Sequence, residues 1–488
     1  TAPGQTVLVY AGVPPDIAGD DDEGLTVTGQ RGEQQLSRYR VRIDEIKRIP
    51  GQFGEALRGV ESLPGVNAPP FGDGEIVLRG ADEDSNTYLL DGLPMGYVFH
   101  FFPVNSVLHN DFIQTIDIYS GAYPANFGDA TGGIIAIESI DEVEKFGGNA
   151  AFSLFSANAL FKAPFDFNDD GESDGYWIGA GRASYLDLTL GGFLPDGIRP
   201  PVYWDGQFKT KFNLSPEHSI YFYAFAAKDS FAAAIDDTPE FDPTKDLDPI
   251  FIGASLASDQ AFHTEALRWE WSPSSRLQSR ITLYWFDNIR FFDAQLGDIT
   301  FRQKQENGRG ALQGDFSWEP WKDHLLVLTG GELRSIQVRQ NGTTVRLVDP
   351  NDESPELFGS PPDFITIPIR DSYRTQYNTG YLMTVWTGWG FEFKPGFRVD
   401  HFALNKQTVV DPKGTLSYAF PTKTTLLSGA GVYHRLPAPE TYSPSSGNPN
   451  LRLERAEHYA AGIQQEIGRW LLKAEVFRQY YTDLVVVD

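Results

Sequence analysis

From about residue 147 to its end, the chain repeats one pattern: segments of alternating apolar and polar residues, joined by connections of two very different lengths. The clearest segment is 276-RLQSRITLYW-285. Leu277, Ser279, Ile281, Leu283 and Trp285 fall on one face, and Arg276, Gln278, Arg280, Thr282 and Tyr284 on the other. A strand standing between lipid and a polar lumen has this pattern. A soluble sandwich alternates too, so the connections decide more. Short turns recur at 215-SPEH-218, 272-SPSS-275, 319-EPWKD-323, 388-GWGF-391, 421-PTKT-424 and 467-IGRW-470. Between them lie polar stretches, 229–262, 287–310, 340–372 and 434–456, which read as long loops. All the long connections then fall at one end of the sheet, as in an outer-membrane barrel. Trp269, Trp271, Trp318 and Trp321 flank the short turns, where an interfacial aromatic girdle belongs.

Composition is consistent with this reading and removes several others. The 488 residues exceed one ordinary compact core, so several domains or one large β architecture are expected. Glycine, proline and aromatic residues are plentiful, as many short strands with frequent turns demand. The chain has no cysteine, which excludes disulfides, thiolate metal sites and a cysteine nucleophile. The net charge of −26 leaves no basic stripe for phosphates, so nucleic acid is a poor partner. Mean hydropathy is −0.31, and no apolar run is long enough for a membrane helix; neither fact bears on a membrane barrel, whose strands alternate. No signal peptide is visible at Thr1.

Three regions follow. Residues 1–35 read as a linker, with Asp20-Asp21-Asp22-Glu23 and two short β-prone segments at 5–11 and 25–31. Residues 36–145 read as a small α/β domain. It has a helix within 44–66 carrying Phe53, Ala56, Leu57 and Val60 and stopped at Leu63-Pro64-Gly65. It also has a second short helix near 103–112 and strands at 76–80, 87–92, 114–121 and 134–139. Residues 146–488 are the barrel. Counting strands from the small domain makes 470–484 about the fifteenth. That count is odd, and an open edge in lipid leaves backbone groups without partners.

The small domain carries 49-IPG-51 with 55-EALRGVESLPGV-66, then 76-IVLRG-80, 88-YLLDGLP-94 and 119-YSGAYPANFGDATGGIIAIES-139. The barrel carries 433-YHRLPAPETYSPSSGNPNLRLERAEHYAAGIQQEI-467. Together and in this order they resemble the TonB-dependent outer-membrane receptors over nearly the whole chain. The resemblance implies a mainly β fold, a transmembrane antiparallel barrel of 22 strands, of which about fifteen are present, with an N-terminal α/β plug in its lumen. It implies that Arg79 is a plug arginine held by a barrel glutamate, which Glu454 matches. A second plug arginine common in the family is replaced by Tyr119-Ser120-Gly121. The resemblance also implies a TonB-type energy-transducing partner in the inner membrane, contacted by an N-terminal segment adding a strand to a sheet edge. Leu25, Thr26, Val27, Thr28 and Gly29 are favoured for that role over residues 5–11. Asp91-Gly92-Leu93-Pro94 is a structural turn. Tyr97, Phe99, His100 and Phe102 form an aromatic cluster expected at the plug apex, facing the ligand, or else in the plug core.

Other chemistry is sparse. Asp166, Asn168, Asp170, Gly171 and Asp174 fit positions 1, 3, 5, 6 and 9 of an EF-hand-like loop, but position 12 is Trp177. A Ca2+ ion is a candidate there, with a hydrated acidic turn as the alternative; no cofactor is required. Acidic loops at 236–248 and 349–356 are candidates for cation-bridged lipopolysaccharide or plain solvation. No zinc-protease, P-loop or serine-hydrolase motif occurs, so enzyme function is not expected. Three functions remain: an active importer of a scarce ligand, a receptor-like barrel serving structure or secretion with a second polypeptide completing it, and a secreted β-rich hydrolase.

Overall fold

The computed structural model of the chain describes residues 36–46, 55–67, 76–101, 105–171, 173–194, 198–234, 254–296, 299–347, 364–443, 447–468 and 470–485. The candidate segment Leu25–Gly29, its runner-up at 5–11 and Phe102 lie outside these residues.

The small domain contributes strands β1 (Arg38–Arg42), β2 (Val66–Asn67), β3 (Val77–Leu78), β4 (Thr87–Leu90), β5 (Leu93–Pro94), β6 (Ile113–Tyr119) and β7 (Ile134–Ser139). Five form a sheet in the order β1-β6-β7-β4-β5, and β2 pairs with β3. Only β4 and β7 run parallel. The IIAIES run of β7 is apolar without alternation because the strand is central and covered on both faces; Ile134, Ile135 and Ile137 are wholly buried. β1 carries only two apolar residues, Tyr39 and Val41, which pack on the core. Its Arg38 and Arg40 both bond the buried carboxylate of Asp117 on β6. Burial pushes Asp117 up, but the two guanidinium groups outweigh it and hold it below the usual carboxylate range.

Among the described residues of 44–66, helix is limited to Ile43–Ile46 and to Ala56–Gly59, which runs on as a 3-10 turn through Ser62. The expected helix near 103–112 is reduced to a 3-10 turn at Asn110–Phe112. The reason is a competing pairing. Val107 N–H donates to Val98 O at 2.9 Å and His100 N–H to Asn105 O at 3.0 Å, which ties residues 98–107 back on themselves. Asp91 and Gly92 both have positive φ (51° and 78°), as a two-residue type I′ hairpin between β4 and β5 requires.

The rest is one antiparallel sheet of fifteen strands, each paired with its sequence neighbours. These are β8 (Gly147–Phe152), β9 (Ser156–Phe165), β10 (Gly175–Ser184), β11 (Ile198–Ser215), β12 (His218–Ala234), β13 (Ser255–Ser274), β14 (Leu277–Leu296) and β15 (Ile299–Trp321). They continue with β16 (Leu325–Leu347), β17 (Phe364–Gly388), β18 (Phe391–Phe402), β19 (Gln407–Ala419), β20 (Thr424–Arg435), β21 (Glu454–Ile467) and β22 (Trp470–Thr482). All six expected short turns join consecutive strands. The stretch 287–310, read from sequence as a loop, is strand over its described residues: β14 runs to Leu296 and β15 begins at Ile299. The described parts of 229–262 and 340–372, at their two ends, are largely strand as well. β14 alternates as expected. Ile281, Leu283 and Trp285 face outward and are exposed, whereas Thr282, Tyr284 and Phe286 face inward and are buried. The sheet curls around the plug, because plug atoms bond side chains on β10, β11, β13, β16, β19, β21 and β22.

Candidate functional site: a cavity between plug and barrel wall

Arg79 stands just after β3 with φ 54°, followed by Gly80 at 75°. This left-handed pair turns the chain. The Arg79 guanidinium pairs with Glu475 on β22 and lies 4.2 Å over the Phe477 ring. Glu475 also accepts from Ser37, from its N–H at 3.1 Å and its hydroxyl at 2.5 Å. The partner is therefore not Glu454, and the sequence expectation is corrected. Glu454 lies opposite Arg435 in the β20–β21 register and bonds its Nε at 2.9 Å, so its charge is met within the wall.

Of the two readings of the aromatic cluster, the described residues support the buried one over the ligand-facing apex. Tyr97, Phe99 and His100 are each about 1% exposed or less, wedged between plug and wall instead of open to a ligand. Tyr97 packs edge-on against Phe262 at 5.0 Å, and the His100 ring lies between Asp205 and Asp229. The hydrophobic drive that made these residues look like contacts buries them against β11–β13.

The acidic turn does not gather its oxygens for an ion. Asp166 accepts from the backbone N–H groups of Asn168, Asp169 and Gly171. Asp174 accepts from Phe167 N–H at 2.7 Å and from the Asn168 side chain at 3.4 Å. Among the described residues no group of three or more acidic or histidine side chains is placed to hold a metal. The set Asp166, Asn168, Asp170 and Asp174 is thus a turn closed by its own backbone.

The open space lies elsewhere. A cavity of about 290 Å³ is lined on the plug side by Gly92, Pro94, Met95 and Gly96 and by the loop Asn126–Asp129. On the wall it meets Tyr284, Asn288, Arg290, Gln305, Asn307, Arg309, Glu332, Arg334 and Arg398, with Arg435–Tyr442 beyond β20. Asp129 links the two sides. Its carboxylate bonds Arg334 at 2.7 Å and the Leu436 N–H at 3.0 Å. Burial pushes Asp129 up, yet Arg334 and Arg309 together hold it below the usual carboxylate range. Arg398 pairs with Asp400 at 2.8 Å. Arg309 and Arg290 face the cavity with no ion pair among the described residues, and Arg309 lies 5.3 Å over the Phe286 ring. The wall therefore offers positive charge and amide groups to an occupant. Sequence reading missed these residues. Their signal was the every-second-residue run Gln305, Asn307, Arg309, which lay inside a stretch read as loop.

Comparison with known proteins agrees with this geometry. Residues 187–488 match the family model for the TonB dependent receptor-like β-barrel, and residues 31–134 match that for the TonB-dependent receptor plug domain. A TonB-dependent transporter, Oar of Myxococcus xanthus, is 34% identical over 138 residues, covering 26% of this chain and 11% of that protein. The chain thus matches about a tenth of that relative's length. Among solved structures, a mutant of the ferric enterobactin receptor PfeA of Pseudomonas aeruginosa is similar with a TM-score of 0.68 at 14% identity, covering 92% of this chain and 71% of that one. The siderophore receptor PirA of Acinetobacter baumannii has the same score, identity and coverage. The outer-membrane transporter YddB of Escherichia coli follows at 0.61 and 12%, covering 89% and 67%. At such identities the likeness concerns the fold.

Proposed function

The chain belongs to the TonB-dependent receptor family, whose members are outer-membrane receptors and transporters rather than enzymes, and from that premise we propose that it imports a scarce ligand through the cavity between plug and wall. The observation that carries this reading is the cavity itself. It is bounded by the plug, which must move for anything to pass, and by wall groups that bind solute. Arg309 and Arg290 suit an anionic group on the ligand, and Asn288, Gln305 and Asn307 suit its neutral polar groups. PfeA and PirA are named for ferric enterobactin and siderophores, so ferric chelates are the first ligands to try. The plug and N-terminus face the periplasm, the strand ends joined by long connections face outward, and a TonB-type partner pulls on the segment before Leu36. Lipid and lipopolysaccharide surround the wall. Removing residues 1–31 abolishes energised uptake while leaving ligand binding intact; uptake that survives the deletion would refute the assignment. Arg309→Gln weakens binding of an anionic ligand about tenfold, near the 1–2 kcal/mol of one charge-assisted contact, as read by equilibrium titration.

A second reading has one observation in its favour. Among the described residues the fifteen-stranded sheet has two unpaired edges, β8 and β22. A receptor-like barrel completed by a second polypeptide, serving structure or secretion, fits that geometry. A stably co-purifying barrel partner together with no saturable ligand would select it over the importer.

A further inference from the structure

Besides Arg79 on β22, the plug is tied to the wall at a buried cluster on β10, β11 and β12, with His100 at its centre. The ring Nδ1 lies 2.8 Å from Asp229 Oδ1 on β12, and Nε2 lies 3.1 Å from Asp205 Oδ2 on β11. The ring stacks on Tyr203 of β11, centroids 4.2 Å apart. All three side chains of the ion pairs are at most 1% exposed. An ionised carboxylate only accepts hydrogen bonds, and a neutral imidazole carries a single N–H. A neutral ring would therefore set a lone pair against one carboxylate, whereas the cation satisfies both. Both aspartates accept from other donors as well. Asp229 accepts from Phe101 N–H at 3.4 Å and from Gln260 at 3.3 Å; Asp205 accepts from Gln207 at 2.9 Å and faces Arg182 of β10 at 3.6 Å.

We propose that His100 is a proton-operated latch: as an imidazolium it clamps the plug segment 96–101 to β11 and β12, and loss of that proton releases the segment. The consequence reaches the cavity. Gly92, Pro94, Met95 and Gly96, which line it, lead directly into the latched residues. Gly96 is pressed so closely on the wall that an added Cβ would stand 2.7 Å from Phe262 Cβ on β13. Releasing the ring loosens the end of the cavity floor beyond Gly96, while Thr264 still holds Pro94 O at 2.9 Å and Arg268 holds Asp91 O at 2.6 Å, and Arg79 is untouched.

The other charged or titratable groups around the ring are Arg182, Glu55, Tyr97 and His109. Arg182 is held through its Nη1 by Glu55 at 3.1 Å and by Ser106 O at 3.0 Å, with its Nε 3.6 Å from Asp205. Burial alone would strip the proton from His100, but Asp205 and Asp229 outweigh it and keep the ring charged above the ordinary histidine range. Since the docked value is the raised one, the latch is fully closed below the ordinary range and opens as pH rises through the raised value.

The test uses the full chain in lipid nanodiscs. Nitrogen NMR of ring-labelled histidine, with His100 assigned by its loss in His100→Gln, shows one imidazole protonated at both nitrogens at pH 7 and titrating above the others. A neutral His100 at pH 7 overturns the proposal. Hydrogen exchange over residues 96–101 and 105–109, corrected for intrinsic rates, shows protection falling about tenfold or more between pH 6 and pH 9. His100→Gln shows the low protection at both pH values. Wild-type protection at pH 6 in His100→Gln, or a loss spread equally over 113–139, overturns it as well. If the variant fails to insert, partial histidine labelling with the slowest-titrating ring identified by contact to Tyr203 decides the question in the wild type.

Discussion

Glu475 holds two parts of the plug with one carboxylate, Ser37 at the start of the described chain and Arg79 beyond β3. A pull on the chain before Leu36 acts on Ser37 first and so disturbs the partner of Arg79. Glu475→Gln leaves Arg79 buried without a counter-charge, a loss of about 3–5 kcal/mol in plug docking for a broken buried pair. It shows as raised single-channel conductance and faster hydrogen exchange at residues 37–42 and 77–81. Glu454→Gln leaves both readouts at wild-type level, because Glu454 bonds Arg435; equal loosening by the two variants would return Glu454 to the lock. Arg79 was legible in the sequence because an arginine ending the short IVLRG strand stands out. Its partner was not. The choice between Glu454 and Glu475 depends on the stagger of β21 and β22 against the plug, which is set by pairings among distant residues. His100 was noticed for its aromatic neighbours, but its two aspartates lie 105 and 129 positions away.

At the scale of the strand, the period-two pattern proved sufficient wherever one face meets lipid. In β14, Leu283 is 58% exposed on the outer face, whereas Thr282 beside it is fully buried in the lumen. Leu283→Arg costs about 2–4 kcal/mol near the bilayer midplane, measured by denaturant unfolding in lipid, and Gln313→Arg on the inner face of β15 costs clearly less. The same pattern failed at the ends opposite the short turns. Residues 287–296 and 299–310 continue β14 and β15 past the apolar band. There both faces meet water or the cavity, so polar composition no longer separates strand from loop. The cavity arginines were lost for that reason. β1 escaped notice in the opposite way. It is an edge strand held by Arg38 and Arg40 on Asp117, and its apolar face is only Tyr39 and Val41, too short to stand out.

Over the whole molecule, the sheet curls around the plug yet leaves β8 and β22 without mutual pairing. Unpaired strand edges are not sustained in hydrocarbon, so further strands close the wall in the membrane. Cross-linkers placed on β8 and β22 in native membranes are expected to capture those strands, whichever polypeptide carries them; edges that capture none would refute closure. By itself the sequence determined the class of fold, the strand count and the order of plug and barrel. Those follow from local periodicity, turn chemistry and short motifs, which each segment carries regardless of its neighbours. Only the tertiary structure decided which glutamate holds Arg79, that the aromatic cluster is buried, that the acidic turn closes on its own backbone, and where the cavity lies. Each of these depends on how a curved sheet brings residues more than a hundred positions apart within a few ångströms, or on where backbone N–H groups point, and side-chain pattern along a strand encodes neither.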